Sequence, residues 1–400
     1  MKNKDTLYKI LFDIYLVFFV LRTTIFVNNS YYNIIFGGCS IIFISFLINT
    51  YKGFKIKNKD ALNVIVISGF VLLHIVLVLI YRHNITHLIK DVFRYIYLVC
   101  IFCLGIYYGK ISSNNKRIFY TVLIIVLFHC IIGIFNFIFG FGVVELHGNQ
   151  RLYGYFDSAG KFGTLLGFSG IFFFINYSLN KKLIYLVLML IALTLLGFNG
   201  SLKSIVVFVG TIAFFFIVYK RKFKYLFIIL FLGIIFIIVN PEIFYRVKSI
   251  FTTSYDPDKI YGTVLENSFQ WRVLQWHQLI NDWWHNFTFF GAGIGQETKL
   301  HGYKNAQGIP YIAHSDFVKL LIETGIIGIV FIAYLVFKLY KKLKKFVIVN
   351  NIEIFLLLFY YFLFGGILGS SLITITISLY LLYLGNLITQ TNSNRVYEYH

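Results

Sequence analysis

Residues 118–141 read IFYTVLIIVLFHCIIGIFNFIFGF, a run without one lysine, arginine, aspartate or glutamate. A helix needs about 20 apolar residues to cross the hydrocarbon core of a bilayer, and this run is long enough. Similar runs recur on both sides of it, at roughly 7–27, 33–49, 61–81, 95–109, 162–179, 183–198, 204–219, 225–239, 317–337, 352–369 and 371–388. Composition agrees. The chain is 58% hydrophobic and 13% charged, against about 25% charged in soluble domains, so a soluble fold of this length could not cover its surface. The expectation is an all-α polytopic membrane protein with about twelve transmembrane helices, forming a single integral membrane domain over residues 1–400. The same numbers exclude a disordered chain, a collagen-like repeat and a disulfide scaffold.

The formal charge of +20 does not indicate nucleic acid, because the basic residues sit in short clusters between apolar runs, as they do in cytoplasmic loops. With the N-terminus inside, the inner loops and termini gather 22 of the 36 basic residues. The clusters are Lys52/Lys55/Lys57/Lys59, Lys110/Lys116/Arg117, Lys181/Lys182, Lys220/Arg221/Lys222/Lys224 and Lys338/Lys341/Lys342/Lys344/Lys345. Both termini are therefore expected in the cytoplasm. Cys39, Cys100, Cys103 and Cys130 fall inside apolar runs and read as small buried side chains. The start, Met1-Lys2-Asn3-Lys4, leads into a first spanning helix and lacks a small-residue cleavage site.

One connection is long. Residues 240–316 form an expected extracytoplasmic loop between the ninth and tenth spans, and loops of this length are usually functional when they are not disordered. Within it Phe269, Val273, Trp276, Ile280, Trp283 and Phe287 recur at steps of four and three. That spacing predicts an amphipathic helix near 268–287 whose tryptophans suit the membrane–water interface.

The spans themselves carry little chemistry. Asp13, His74 and His129 are scattered and read as satisfied structural residues rather than a proton relay. His83 and His87 with Asp91 make an incomplete ligand set, and Gly291-x-Gly293-x-Gly295, lacking a preceding strand, reads as a tight turn. Polar residues gather instead at the outer ends of three helices. Asn149 to Asp157, with Arg151, lead through Lys161 into the sixth span; Asn199 to Ser204, with Lys203, lead into the eighth; the large loop, with Arg246, Lys248, Arg272 and Lys304, ends at His314-Ser315-Asp316. Helix N-termini favour anions, so basic side chains beside three of them make a candidate pyrophosphate site, although each is also an ordinary interfacial anchor. By spacing alone His314 reads as an interfacial histidine; its chemistry also suits a general base near neutral pH.

These residues resemble a known family. His314-Ser315 followed after nine residues by Gly325-Ile326-Ile327-Gly328 resembles the signature of the O-antigen ligase and O-antigen polymerase superfamily, in which a His-Asn or His-Ser pair ends the large periplasmic loop. Leu320-Leu321-Ile322-Glu323-Thr324-Gly325 matches the Leu-x-x-Glu-x-Gly register of that family. Arg272-x-x-x-Trp276, Gly291-Ala292-Gly293-Ile294-Gly295 and Arg151-x-x-Gly154-x-Phe156 are similar to its remaining motifs and fall in the same order. One departure is Ser201-Leu202-Lys203-Ser204, where the family commonly has Ser-Arg-Gly. Lys203 keeps the charge but lacks the bidentate fork of an arginine.

The resemblance implies a GT-C-like, metal-independent glycosyltransferase of the bacterial cytoplasmic membrane, with its site on the extracytoplasmic face and no cofactor. The donor would be an undecaprenyl-diphosphate-linked oligosaccharide, and the neighbours in the pathway a flippase and a chain-length regulator. In that scheme His314 takes the proton of the acceptor hydroxyl, while Arg272, Arg151 and Lys203 stabilise the departing diphosphate. Trp276 offers an aromatic surface for sugar, and Glu323, four residues from Lys319, either orients His314 or pairs with that lysine. The expected function is polymerisation of O-antigen or capsular repeat units, a preference resting on the acid in His314-Ser315-Asp316. Rival readings are the ligase that transfers glycan to a lipid A core, a lipid-linked oligosaccharide flippase, and a non-catalytic partner of a polysaccharide assembly.

Overall fold

The computed structural model describes residues 2–26, 35–43, 58–81, 85–111, 116–146, 149–219, 268–297, 313–347, 352–363 and 375–396, with Gly233, Phe244, Lys248 and Leu300 singly. These residues are mostly helical. The helices are α1 (Lys2–Thr24), α2 (35–43), α3 (Asn58–Ile80), α4 (Ile85–Ile111), α5 (Lys116–Phe139), α6 (Ala159–Asn180), α7 (Leu183–Asn199), α8 (Leu202–Phe214), α9 (Ser268–Asn286), α10 (Asp316–Val347), α11 (Ile352–Tyr361) and α12 (Ile375–Val396). Three stretches, Lys116–Phe139, Ala159–Asn180 and Asp316–Leu335, are long and apolar enough to cross a bilayer, and shorter apolar helices lie at Gly69–Ile80, Leu183–Asn199, Leu202–Ile217 and Thr376–Ile388. The protein is thus a helical membrane protein. The expected span at 225–239 lies outside the described residues.

Helix α6 lies at the centre. It is buried on all sides from Phe162 to Asn176, as a helix apolar around its whole circumference should be. Phe162, Phe168, Phe172 and Phe173 are fully buried there among residues of α5, α7, α8 and α12. At the periphery, α5 turns Ile124, Ile131, Phe135 and Ile138 outward, one helix face of large apolar side chains fit for lipid. α12 crosses α4 where Gly105 and Gly385 meet, each too close to the other backbone to carry a Cβ. Small residues at such a crossing let two helices pack in a setting where lipid removes the hydrophobic incentive to associate.

Two of the three polar groups in the spans find polar partners, whereas His74, expected to be satisfied, has no hydrogen-bond partner for either ring nitrogen among the described residues. Asp13 pairs with Arg117 of α5, His129 Nε2 lies 2.7 Å from the Thr23 carbonyl, and His74 is packed against the ring of Phe70.

Three features differ from the sequence expectation. The fold is not purely helical: β1 (Val143–Leu146) and β2 (Asn149–Leu152) form an antiparallel hairpin, with Val144 opposite Arg151. The hairpin is seated by Asn136 of α5, whose side-chain amide donates to the Gly154 carbonyl at 2.9 Å, and by Phe156, stacked on His129. Second, α4 begins at Ile85, ten residues before the apolar run, because Asp91 is partnered rather than solvated and can enter the bundle. Third, α9 exists as a helix, but its packed face is Leu274, Gln275, Leu279 and Trp283, with Ile280 exposed. An apolar stripe marks residues that avoid water, and lipid satisfies it as well as protein does; α10 and the glycine turn choose the side that packs.

Candidate active site

Helix α10 starts with a cap. The Ser315 hydroxyl accepts from the Val318 amide at 3.3 Å, and the Lys319 amide donates to the Ser315 carbonyl at 2.9 Å. Serine is among the best residues for this position, and Asp316 in the first turn suits the positive end of the helix dipole. His314, just before the cap, has φ = 52°. That left-handed conformation costs a non-glycine residue of order 1–3 kcal/mol and persists only where its surroundings impose it.

The surroundings are visible. Ala313 is gripped by both its peptide groups: its amide donates to Glu297 Oε2 at 3.1 Å, and its carbonyl accepts from the indole N–H of Trp276. The other Glu297 oxygen lies 3.0 Å from Lys319 Nζ. That buried ammonium also meets Asp91 Oδ2 at 2.7 Å and Glu323 Oε1 at 3.4 Å. Arg94 holds the second oxygen of Asp91 at 2.7 Å. His314 is therefore fixed from behind by Ala313 and from ahead by the Ser315 cap.

Positive charge surrounds it. Arg272, one turn before Trp276 on α9, is half-buried, and its Nε has no hydrogen-bond partner among the described residues. Burial pushes its pKa down, yet an arginine stays protonated at any working pH. Lys203 stands in the first turn of α8, where Arg272 and Asp316 both act on it. Burial first, then the charges of Arg272 and Lys203, push the His314 imidazole down to about 4, which favours the neutral ring at neutral pH. Arg151 reaches the same end of the bundle from β2. Its Nε donates to the Asn199 carbonyl at 3.1 Å, four residues before Lys203. Asn199 in turn donates its side-chain amide to the carbonyls of Leu152 and Ala159, at 2.5 and 2.8 Å, stitching the hairpin to α6 and α7.

Of the residues singled out in the sequence, the structure gathers His314, Arg272 and Lys203 into one electrostatic cluster and attaches Trp276 to the residue before His314. Arg151 is linked to the cluster through Asn199. Glu323 is fully buried against Lys319, which takes the second of its two sequence alternatives. Arg246, Lys304 and His83 lie outside the described residues, and Asp91 is engaged by Lys319 and Arg94. Sequence reasoning passed over Glu297 altogether. Its only signal was an acid two residues past a glycine turn.

That turn, Gly291 to Gly295, docks on a break in α10. Gly325 has φ = 65° and ψ = −171°, which interrupts the helix and frees backbone groups on both sides. The amides of Ala292 and Gly293 donate to the carbonyls of Ile322 and Glu323, both at 2.9 Å. Those of Ile326 and Ile327 donate back to Thr288 and Phe289, at 3.0 and 3.1 Å.

A membrane-embedded helical bundle with a histidine, an arginine and a lysine convergent at one end fits enzymes that act on anionic, membrane-borne substrates. Residues 184–333 match the family model described as O-antigen ligase, which supports the resemblance to the O-antigen ligase and O-antigen polymerase superfamily. The matched region contains Lys203, Arg272, Trp276, His314 and Glu323, with Arg151 preceding it. No curated protein matches the chain.

Proposed function

We propose that this protein polymerises undecaprenyl-diphosphate-linked oligosaccharide repeat units at the extracytoplasmic face of the bacterial cytoplasmic membrane, within a bundle of about twelve spans. The observation that carries the reading is His314 held in a left-handed conformation at the start of α10, with Arg272 and Lys203 acting on its imidazole. His314 takes the proton of the acceptor hydroxyl. The acceptor oxygen forms the new glycosidic bond as the bond from the anomeric carbon to the diphosphate oxygen breaks. The departing undecaprenyl diphosphate keeps the electron pair. Arg272, Lys203 and Arg151 lie where that developing charge would be stabilised, and fixed cations in a poorly hydrated site act there without reorganising. The chemistry is written without a metal or a cofactor. A flippase and a chain-length regulator are the natural partners of such a reaction.

A second reading, ligation of finished glycan to a lipid A core, is equally compatible with the matched family. The two separate in one experiment. In a strain that makes lipid A core, His314→Ala should leave core carrying a single repeat unit if the protein is the polymerase. Bare core with long glycan still on the lipid carrier assigns it to the ligase. Wild-type glycan from the variant removes the general-base assignment, and bare core with donor stranded on the inner face indicates a flippase.

A further inference from the structure

We infer that Glu297 is a positioning residue for the glycosyl-transfer step, acting on His314 through the peptide of Ala313; this rests on the reading of His314 as the base. Glu297 is 5% exposed, and its two carboxylate oxygens are divided between two tasks. One accepts the Ala313 amide at 3.1 Å; the other meets Lys319 at 3.0 Å. Lys319 lies one helical turn past Ser315, and its own amide donates to the Ser315 carbonyl. A closed circuit results: Ala313 amide, Glu297 carboxylate, Lys319 ammonium, the first turn of α10, and the backbone back through Ser315 and His314. Asp91 and Glu323 hold the ammonium from the remaining sides.

The circuit runs through the backbone on both sides of His314. A left-handed residue other than glycine persists only where its surroundings impose it, so closure of the ring of contacts sets the backbone from which the imidazole projects. Trp276 completes the grip by holding the carbonyl of the same residue. Burial makes the arrangement exacting, since a carboxylate oxygen out of water that loses its partner is left with the full cost of its desolvation. A misplacement of about 1 Å at a reacting group is enough to cost on the order of 100-fold in rate, while binding of a large glycan donor, spread over many contacts, is much less sensitive.

The test is steady-state transfer by the full-length protein in detergent or nanodiscs, using purified lipid-linked repeat unit as donor, for Glu297→Met, Glu297→Gln, Trp276→Phe and His314→Ala. Methionine matches the bulk but offers no acceptor to Ala313. It should lower kcat by about 10- to 100-fold with donor KM within about twofold. Glutamine retains a carbonyl oxygen and should recover a substantial part of kcat. The effects of Glu297→Met and Trp276→Phe should be less than additive, because both loosen the same residue, Ala313. Wild-type kcat in Glu297→Met overturns the inference. So does a rise in KM that accounts for the whole loss, or a glutamine variant as slow as the methionine one. Should Glu297→Met fail to accumulate, Glu297→Gln and Trp276→Phe decide by the same split of kcat and KM. An active His314→Ala protein instead refutes the base assignment itself, a result the Glu297 variants cannot mimic.

Discussion

Gly291 and Gly325 face each other across a contact that leaves neither room for a side chain. A Cβ on Gly291 would run into the backbone of Glu323 and Thr324, and a Cβ on Gly325 into Phe289 and Gly291. The two glycine motifs are thus halves of one joint, binding the turn after α9 to the break in α10.

Gly325→Ala should therefore be severely destabilising. Its φ and ψ lie in a region essentially reserved for glycine, and the added methyl meets backbone that cannot move aside. The expected loss exceeds about 3 kcal/mol, at the upper end for point substitutions. It would be read as loss of the cooperative melting transition of purified protein in detergent. A wild-type melting curve would show that the break is not a fixed part of the native state.

The Ser315 cap gives a milder and more discriminating test. Ser315→Ala removes the acceptor for the Val318 amide and should cost about 1 kcal/mol, whereas Ser315→Asn should be close to neutral, because both residues cap well. Thermal melts of the two variants check the order. The cap also gives a physical reason why a histidine followed by either serine or asparagine suits this position.

The pH dependence should differ between free and donor-bound enzyme. With His314 pushed down to about 4, it is unprotonated and competent above that pH, so the acid limb of kcat/KM should fall only near pH 4. A bound diphosphate opposes the charges of Arg272 and Lys203 and favours the imidazolium, so the acid limb of kcat should lie at higher pH. Coincident limbs would mean that the diphosphate does not sit beside this histidine.

Arg272→Ala should lose most activity, and Arg272→Lys should recover only part, since the two-pronged contact to a phosphate is lost. Removing this cation also relieves the imidazole, so the acid limb of kcat/KM should move upward in the alanine variant. A lower rate with an unmoved limb would place Arg272 away from His314.

Orientation can be read across α6. A reporter fused after Tyr155 should respond as extracytoplasmic and one after Lys182 as cytoplasmic. The same signal at both positions would contradict a spanning α6 and the proposed side of the site.

Most of the helices were legible as apolar runs, because hydropathy over about 20 residues is a strong and local signal. His314, Arg272 and Lys203 were legible as chemistry-bearing types at helix starts. Their attachments were not. Lys319 finds Asp91 across 228 residues of sequence, and no periodicity links an acid on α4 to a lysine on α10. Trp276 illustrates the same limit: its apolar spacing suggested a place at the membrane–water interface, while its indole N–H is spent on the Ala313 carbonyl.

The break in α10 also bears on how the protein is assembled. In hydrocarbon an unpaired peptide group costs several kcal/mol, and the carbonyls of Ile322 and Glu323 are satisfied by amides of a segment that precedes α10 in the chain. Until residues 288–293 have docked, an uninterrupted helix through Gly325 is the cheaper form. The nascent segment would then enter the membrane straight and be broken afterwards, so the end of α10 that carries His314 would mature only once residues 288–293 have docked and opened the helix behind it.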